Sequence, residues 1–134
     1  MQKVIGLQFR AAPGELGDRV LENFGKRLKE WMERRKVGLV DIAQNLGISY
    51  SYVAFLGKVK PYGRLLSPEN AVALAEFLNI DPDEVFSAMG QINPYLAEKV
   101  PMEVLEAELL ELHRRLREYI EEAEQEQRER KRRR

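Results

Sequence analysis

Cysteine and histidine, which often carry enzyme and metal chemistry, are nearly absent from this chain. The 134 residues include no cysteine and a single histidine, His113. Disulfide frameworks and cysteine-based zinc sites are therefore excluded, and little is left for a histidine site. No glycine-rich phosphate loop and no nucleophile motif is present. We expect a protein that binds rather than catalyses, without a metal or cofactor, and we interpret His113 as a surface or interface residue.

The distribution of charge indicates where a partner binds. The formal net charge is zero at pH 7, which by itself disfavours a nucleic-acid partner. Along the chain, however, residues 21–60 carry eight Lys and Arg against four Asp and Glu, whereas residues 61–100 carry two against six. Attraction to phosphate groups requires such a local basic excess. The segment 21–60 is therefore the candidate binding region for an anionic partner.

The elements that must position these charges are predicted to be helices. Residues 18–36 carry apolar side chains at three- and four-residue spacing, which is typical of an amphipathic helix. Gly38 and Gly47 bracket a short second helix, and Ser49 is placed to cap a third helix that ends near Gly57. Three helices are therefore expected to carry the basic segment.

A capping residue followed by proline predicts two further helix starts. Ser67–Pro68 opens a fourth helix that ends near Leu78, and Asp81–Pro82 opens a fifth that ends near Met89, with Glu84 at the capping-box position. The expected fold is all-α, with five helices followed by a long C-terminal helix. The buried side of the fourth helix is predicted to hold Ala71, Val72, Leu74, Ala75 and Leu78.

The second and third helices have the residue types of two helices crossing at a tight turn. Ala43 leaves room for the third helix to pack, and Gly47 can adopt the positive φ that the turn demands. Apolar residues on both helices are expected to close a small core between them, which leaves the opposite side of the third helix facing solvent or a groove. The apolar residues expected to close that core are Ile42, Leu46, Ile48, Val53 and Leu56.

Several segments resemble, in the right order, the Cro and phage-repressor (XRE-like) helix-turn-helix family. Residues 24–31 look like the first helix of the family, and residues 42–49 are similar to its second helix and turn. Residues 67–80, continuing to Val85 and Phe86, resemble its fourth and fifth helices. The resemblance covers roughly residues 21–88 and implies a lambda-repressor-like DNA-binding domain.

That resemblance implies a sequence-specific transcriptional regulator, in particular a repressor, which binds double-stranded DNA as a homodimer on a pseudo-palindromic operator. Its recognition helix would span about Tyr50–Leu56. The positions that face base edges in the family fall on Tyr50, Ser51, Ala54 and Phe55, which we call the reading face. The positions near phosphate groups fall on Ser49, Tyr52, Lys58, Lys60 and Arg64.

Two departures from the family change the expected contacts. The family usually begins its second helix with a Thr or Ser cap and a DNA-contacting Gln, where this chain has Gly38 and Leu39. A frequent Glu after the third helix, paired with an Arg of the first, is replaced by Gly57 and Met32. Because both partners of that pair are absent together, no orphan charge is left.

The reading face also lacks the Arg, Asn and Gln side chains that usually read bases in a bidentate manner. Hydroxyl groups, apolar contacts with thymine methyl groups and DNA shape are the remaining sources of specificity. An aromatic, uncharged helix face is equally typical of a protein interface. The alternative function is therefore a protein interaction module, such as an antitoxin-like or developmental regulator. We favour DNA because of the extended resemblance and the local basic excess.

The last helix, predicted to begin at Pro101 after a short helical turn at 94–99, carries apolar residues that alternate at three and four. This spacing is typical of a coiled-coil seam. We predict self-association through it as a homodimer, with a tetramer as the other stoichiometry, whereas the alternative is a helix packed within its own subunit. The seam consists of Met102, Leu105, Leu109, Leu112, Leu116, Tyr119 and Ala123.

The chain divides, on this interpretation, into an N-terminal arm (1–17), a DNA-binding domain (18–90) and an oligomerisation helix with a basic tail (91–134). Residues 1–10 alternate loosely, as in a short strand or ordered arm. The basic tail is either a solvated helix end or a source of nonspecific phosphate contacts. No segment has the apolar length of a signal peptide or membrane span, so we expect a cytoplasmic, nucleoid-associated protein.

Overall fold

The computed structural model describes residues 14–59 and 63–133, and within them the chain forms seven helices and no strand. The predicted all-α class with a long C-terminal helix is confirmed. The alternating segment 1–10, interpreted as a strand or arm, lies outside the described residues. The helices are α1 (Gly14–Arg35), α2 (Leu39–Leu46), α3 (Tyr50–Ala54), α4 (Pro68–Leu78), α5 (Pro82–Ala88), α6 (Pro94–Ala97) and α7 (Met102–Arg132).

Helix α1 begins at Gly14, ahead of the start near Asp18 that the sequence predicts, so the end of the predicted N-terminal arm (1–17) is helical. Glu15 lies in the first turn, where its charge suits the positive end of the helix dipole. Gly17 is buried, one turn before the buried Leu21. Gly17 is therefore helical despite a propensity about 1 kcal/mol lower than that of alanine.

Three helices end on a residue with left-handed backbone conformation. Gly47 follows α2 with a φ of 68°, and Asn79 follows α4 with a φ of 56°. The third is Lys36, which follows α1 with a φ of 56°. The N–H of Val37 closes the end of α1 by donating to the carbonyl oxygen of Met32 at 3.1 Å. Gly and Asn are the usual residues at such positions, whereas a lysine there is strained.

Helices α2 and α3 pack against one another as the sequence predicts. Ile42 and Ala43 are buried on α2, and Gly47 makes the turn. Val53 and Leu56 are buried on the side of α3 and its following turn that faces the core. The small side chain of Ala43 and the left-handed glycine thus fix how α3 leaves α2.

Helices α4 and α5 start at the predicted caps. The Ser67 hydroxyl oxygen accepts from the N–H of Asn70 at 3.3 Å, and the Asp81 carboxylate accepts from the N–H of Asp83 at 2.8 Å. The predicted capping box at Glu84 is wrong. The carboxylate of Glu84 instead lies 4.0 Å from the guanidinium of Arg27 on α1, because α5 packs on α1 and brings that positive charge within reach.

One hydrophobic core joins α1 through α5. Phe24 and Trp31 are buried in it with their rings edge to face at 6.5 Å, and the Arg27 guanidinium lies 5.6 Å from the Trp31 ring centre. Val72, predicted to be buried, is only half-buried. No polar or charged side chain is buried among the described residues. The largest fully buried side chains are Trp31, Phe24, Phe86, Ile42, Leu65, Leu66, Leu74, Leu78, Met89, Val53 and Val85.

The chain forms two compact units that meet in sequence between Pro94 and Tyr95, within α6. The second unit contains α7, a helix of 31 residues and about 46 Å. None of its residues is buried in the single chain. Among the described residues, no helix has both the length and the apolar character that crossing a membrane requires.

Candidate nucleic-acid interface

Helix α3 presents one side to solvent and buries the other. Tyr50 is 53% exposed and Phe55, which follows the helix, is 37% exposed. Ser51 is exposed and Ala54 is half-buried, whereas Val53 is 1% exposed. All four residues of the predicted reading face therefore lie around one short helix whose opposite side is fixed in the core.

Ser49 caps α3, as the sequence predicts. Its hydroxyl oxygen accepts a hydrogen bond from the N–H of Tyr52 at 3.1 Å, which supplies one of the partners that the first turn of a helix lacks. The hydroxyl proton is not used in this bond. Ser49 can therefore cap the helix and donate to a phosphate oxygen at the same time.

Tyr52 has a structural partner that the sequence does not reveal. Its hydroxyl donates to the backbone carbonyl oxygen of Leu65 at 2.7 Å. Burial raises the pKa of the Tyr52 hydroxyl above its usual value, and the nearby charge of Arg64 lowers it by less. Because the single proton of the phenol is used inside the domain, the predicted phosphate contact from Tyr52 would require this bond to break.

The segment after α3 is held to the end of that helix by the backbone. The N–H of Gly57 donates to the carbonyl oxygen of Arg64, and the N–H of Arg64 donates to that of Phe55, both at 3.0 Å. Lys58 and Arg64, two of the predicted phosphate contacts, are therefore exposed side chains on an anchored backbone. Lys60, the third, lies outside the described residues.

A close approach between two glycines fixes the end of α3 against α1. A Cβ atom placed on Gly57 would lie 2.3 Å from the Cα of Gly25. Gly57 also has a φ of 70°, which side chains of L-residues rarely adopt. From the sequence, Gly57 was predicted to lie near the end of the third helix, in the place of a family glutamate. Its structural role is to bring the backbone after α3 into contact with α1.

The start of α2 lacks the family cap but is not left without a partner. The N–H of Gly38 donates to a carboxylate oxygen of Asp41 at 2.8 Å. Asp41 also places a negative charge in the first turn of α2. This bond satisfies the N–H of the N-cap residue itself and does not replace a Thr or Ser side chain, which would accept from an N–H of the first turn. The Gln that would contact DNA is replaced by the half-buried Leu39.

A groove beside α3 is lined by four lysines, three of which sequence reasoning did not single out. It lies between α1 on one side and the start of α2, α3 and the following turn on the other, and Ala54 of the reading face is among its lining residues. Glu22 and Glu33 also line it. The sequence did contain a signal for this groove: Lys26, Lys29 and Lys36 follow one another at spacings of three and seven, which place side chains on one face of a helix. The basic residues of the groove are Lys26, Lys29, Lys36 and Lys58.

The predicted seam lies along α7 with large apolar side chains exposed. Met102 is 60% exposed, Leu116 53% and Tyr119 72%. Leu105 and Leu109 are half-buried, and Leu112 and Ala123 are exposed.

The polar side of α7 is stabilised by its own ion pairs. The guanidinium of Arg114 pairs with Glu111 and with Glu118, at spacings of three and four. The hydrogen bond from Arg114 lowers the pKa of the Glu111 carboxyl. The ring nitrogen Nδ1 of His113 lies 2.7 Å from the carbonyl oxygen of Leu109, so His113 makes a local helix contact. The ion pairs of Arg114 involve none of the seam residues.

No protein-family model matches the chain, and no curated protein or solved structure is significantly similar to it. The resemblance to XRE-like regulators therefore stays a prediction. Function must be inferred from the geometry around α3 and from the exposed seam of α7.

Proposed function

We propose that this chain is a DNA-binding transcriptional regulator, acting as a homodimeric repressor on a pseudo-palindromic operator, with α1 to α5 forming a lambda-repressor-like domain. The observation that carries the proposal is the presentation of α3. Its reading face is exposed on one side, while Val53 and Leu56 hold the other side in the core. A helix supported in this way can enter the major groove without losing its position.

The charges around α3 support DNA as the partner. Lys58 and Arg64 are exposed on a backbone that two hydrogen bonds fix to the end of α3. Ser49 has a hydroxyl proton to donate at the start of the same helix. Contacts to phosphate groups at both ends of a recognition helix set its register on the duplex. The uncharged reading face then contributes hydroxyl and apolar contacts to base edges.

The exposed seam of α7 supports the homodimer. Soluble monomers rarely expose a long row of large apolar side chains, because removing apolar surface from water stabilises by about 25 cal/mol per Å². One helix-turn-helix covers a single half-site, and pairing two copies doubles the phosphate and base contacts. Pairing of two α7 helices would both bury the exposed seam and bring together the two copies that a pseudo-palindromic operator requires.

Selection of bound duplexes from a random DNA pool tests the proposal. We expect enrichment of an inverted repeat whose half-sites lie about one helical turn, or about 34 Å, apart. A variant carrying Lys58→Ala and Arg64→Ala serves as the control and should retain less of the pool. Failure of the unmodified chain to retain any duplex at low salt would overturn the proposal, because nonspecific phosphate binding alone should be measurable there.

The second candidate function is a protein interaction module, and the exposed aromatic rings favour it. Tyr50 at the start of α3 and Phe55 just after its end both expose an aromatic ring, and aromatic residues are enriched at the centres of protein interfaces. The variant Tyr50→Ala with Phe55→Ala separates the two functions. Loss of a co-purifying partner, with no DNA binding by the unmodified chain, would support the interaction module over the regulator.

A further inference from the structure

Lys36 occupies a backbone position that is unfavourable for lysine. Helices α1, α2 and α4 end in the same way, with a left-handed residue followed by an N–H that bonds back into the last turn. Gly47 and Asn79 fill that position in α2 and α4, as expected for residues that tolerate it. A lysine with a φ of 56° is strained, and such strain is often retained for function.

Lys36 is one of the residues that line the groove beside α3. Lys29, two turns earlier on α1, lines the same groove. Neither lysine forms an ion pair with any described residue. Both lysines are exposed, and Glu22 and Glu33 also line the groove. An anionic ligand would be attracted to the two ammonium groups.

The groove is continuous with the surface proposed to bind DNA. Ala54 belongs both to its lining and to the reading face, and Lys58 belongs both to its lining and to the predicted phosphate contacts. A duplex lying on α3 would therefore bring its sugar-phosphate backbone to this edge. The side of α3 next to α2 is also where the expected polar contact is missing, because Leu39 stands in the place of a DNA-contacting side chain.

We infer that Lys36 and Lys29 contact the phosphate backbone of bound DNA and supply, on the α1 side of α3, the anchor that the start of α2 lacks. The inference rests on the proposed function, since it extends the same DNA-binding surface. In this arrangement Lys58 and Arg64 contact the DNA backbone near the end of α3, and Lys36 and Lys29 contact it beside α2. Lys36 is kept in its strained position because glycine there would carry no charge.

Two variants distinguish this contact from a structural role. Lys36→Gly removes the charge and relieves the backbone strain, so its unfolding midpoint should rise by a few degrees. Lys29→Gln removes the charge and keeps most of the side chain. Combined, they should weaken binding of a mixed-sequence duplex uniformly and lower the slope of log K against log salt by about 0.9 per lost contact, or about 1.8 in total.

Matched controls use the same helix and the same backbone conformation. Arg19→Gln with Arg34→Gln removes two exposed charges of α1 that do not line the groove and should leave the slope nearly unchanged. Asn79→Gly changes the other strained non-glycine position without changing charge. A slope unaffected by Lys36→Gly and Lys29→Gln, in a chain that otherwise binds DNA, overturns the inference and leaves the proposed function standing. Absence of binding by the unmodified chain overturns both.

Discussion

The phenolic hydroxyl of Tyr52 donates a hydrogen bond of 2.7 Å to the backbone carbonyl oxygen of Leu65. Tyr52 lies on α3, and Leu65 is a buried residue of the segment that leads into α4. The bond therefore ties the proposed recognition helix to the core on the side away from the reading face. Orientation of α3 depends on this tie as well as on the packing of Val53.

Tyr52→Phe should destabilise the domain without weakening DNA binding. Removing the hydroxyl leaves the Leu65 carbonyl without its donor, which costs about 1–2 kcal/mol of unfolding free energy. Urea unfolding measures this loss, and Tyr50→Phe, at a residue of the same helix that is 53% exposed, is the control whose unfolding free energy should change little. A fall in DNA affinity with no change in stability would instead assign Tyr52 to the phosphate contact that the sequence predicts.

The same bond predicts a dependence on alkaline pH. Burial raises the pKa of Tyr52 above the usual 10.0, so the folded state holds the phenol proton more tightly than the unfolded chain does. The stabilisation is fully present below pH 10.0 and is lost as pH rises through the raised value. The difference in unfolding free energy between the unmodified chain and Tyr52→Phe should therefore shrink above that pH. A difference that stays constant would contradict the assignment.

Gly57→Ala should be far more damaging than Gly47→Ala, although both glycines have nearly the same positive φ. A Cβ on Gly57 would collide with Gly25, whereas one on Gly47 would meet nothing within 4 Å. Left-handed strain costs each variant about 1–2 kcal/mol, and overpacking adds about 1–3 kcal/mol to Gly57→Ala alone. Thermal or urea unfolding of the pair measures the second contribution. Equal losses would show that the contact with Gly25 is not important.

Local signals made most of the fold predictable. Ser67 and Asp81 cap the helices they were expected to cap, because a cap needs only its own side chain and the next turn of backbone. Gly47 makes the predicted turn for the same local reason. Glu84 failed as a capping-box residue because the charge of Arg27, distant in sequence, lies on a helix that packs nearby.

The features that shape the candidate site depend on contacts between distant residues, which periodicity does not encode. The bond from Tyr52 to Leu65 spans 13 residues, and the contact of Gly57 with Gly25 joins two helices. The exposure of one side of α3 was predictable because it follows from the period of a single helix, whereas the role of that side as a reading face is implied only by the family resemblance.

Lys58→Ala with Arg64→Ala should weaken DNA binding through charge alone. Both side chains are exposed, so the domain should remain folded, with an unfolding midpoint close to that of the unmodified chain. The slope of log K against log salt should fall by about 0.9 per contact, or about 1.8 for the pair. Lys99→Ala, outside the α1 to α5 domain, is the matched control. An unchanged slope in the double variant would remove these residues from the interface.

Leu116→Lys should dissociate the homodimer, whereas Leu110→Lys should not. Both leucines are exposed in the single chain, at 53% and 65%, so neither change should alter the stability of one subunit. Only Leu116 lies on the seam, where pairing would bury an unpaired ammonium group from each copy at a cost of several kcal/mol. Because each 1.4 kcal/mol changes the dissociation constant about tenfold, sedimentation equilibrium should show an increase of at least about 100-fold. Operator affinity should fall in parallel, since a single copy covers one half-site. A dimer that survives Leu116→Lys but dissociates with Leu110→Lys would place the interface on another side of α7.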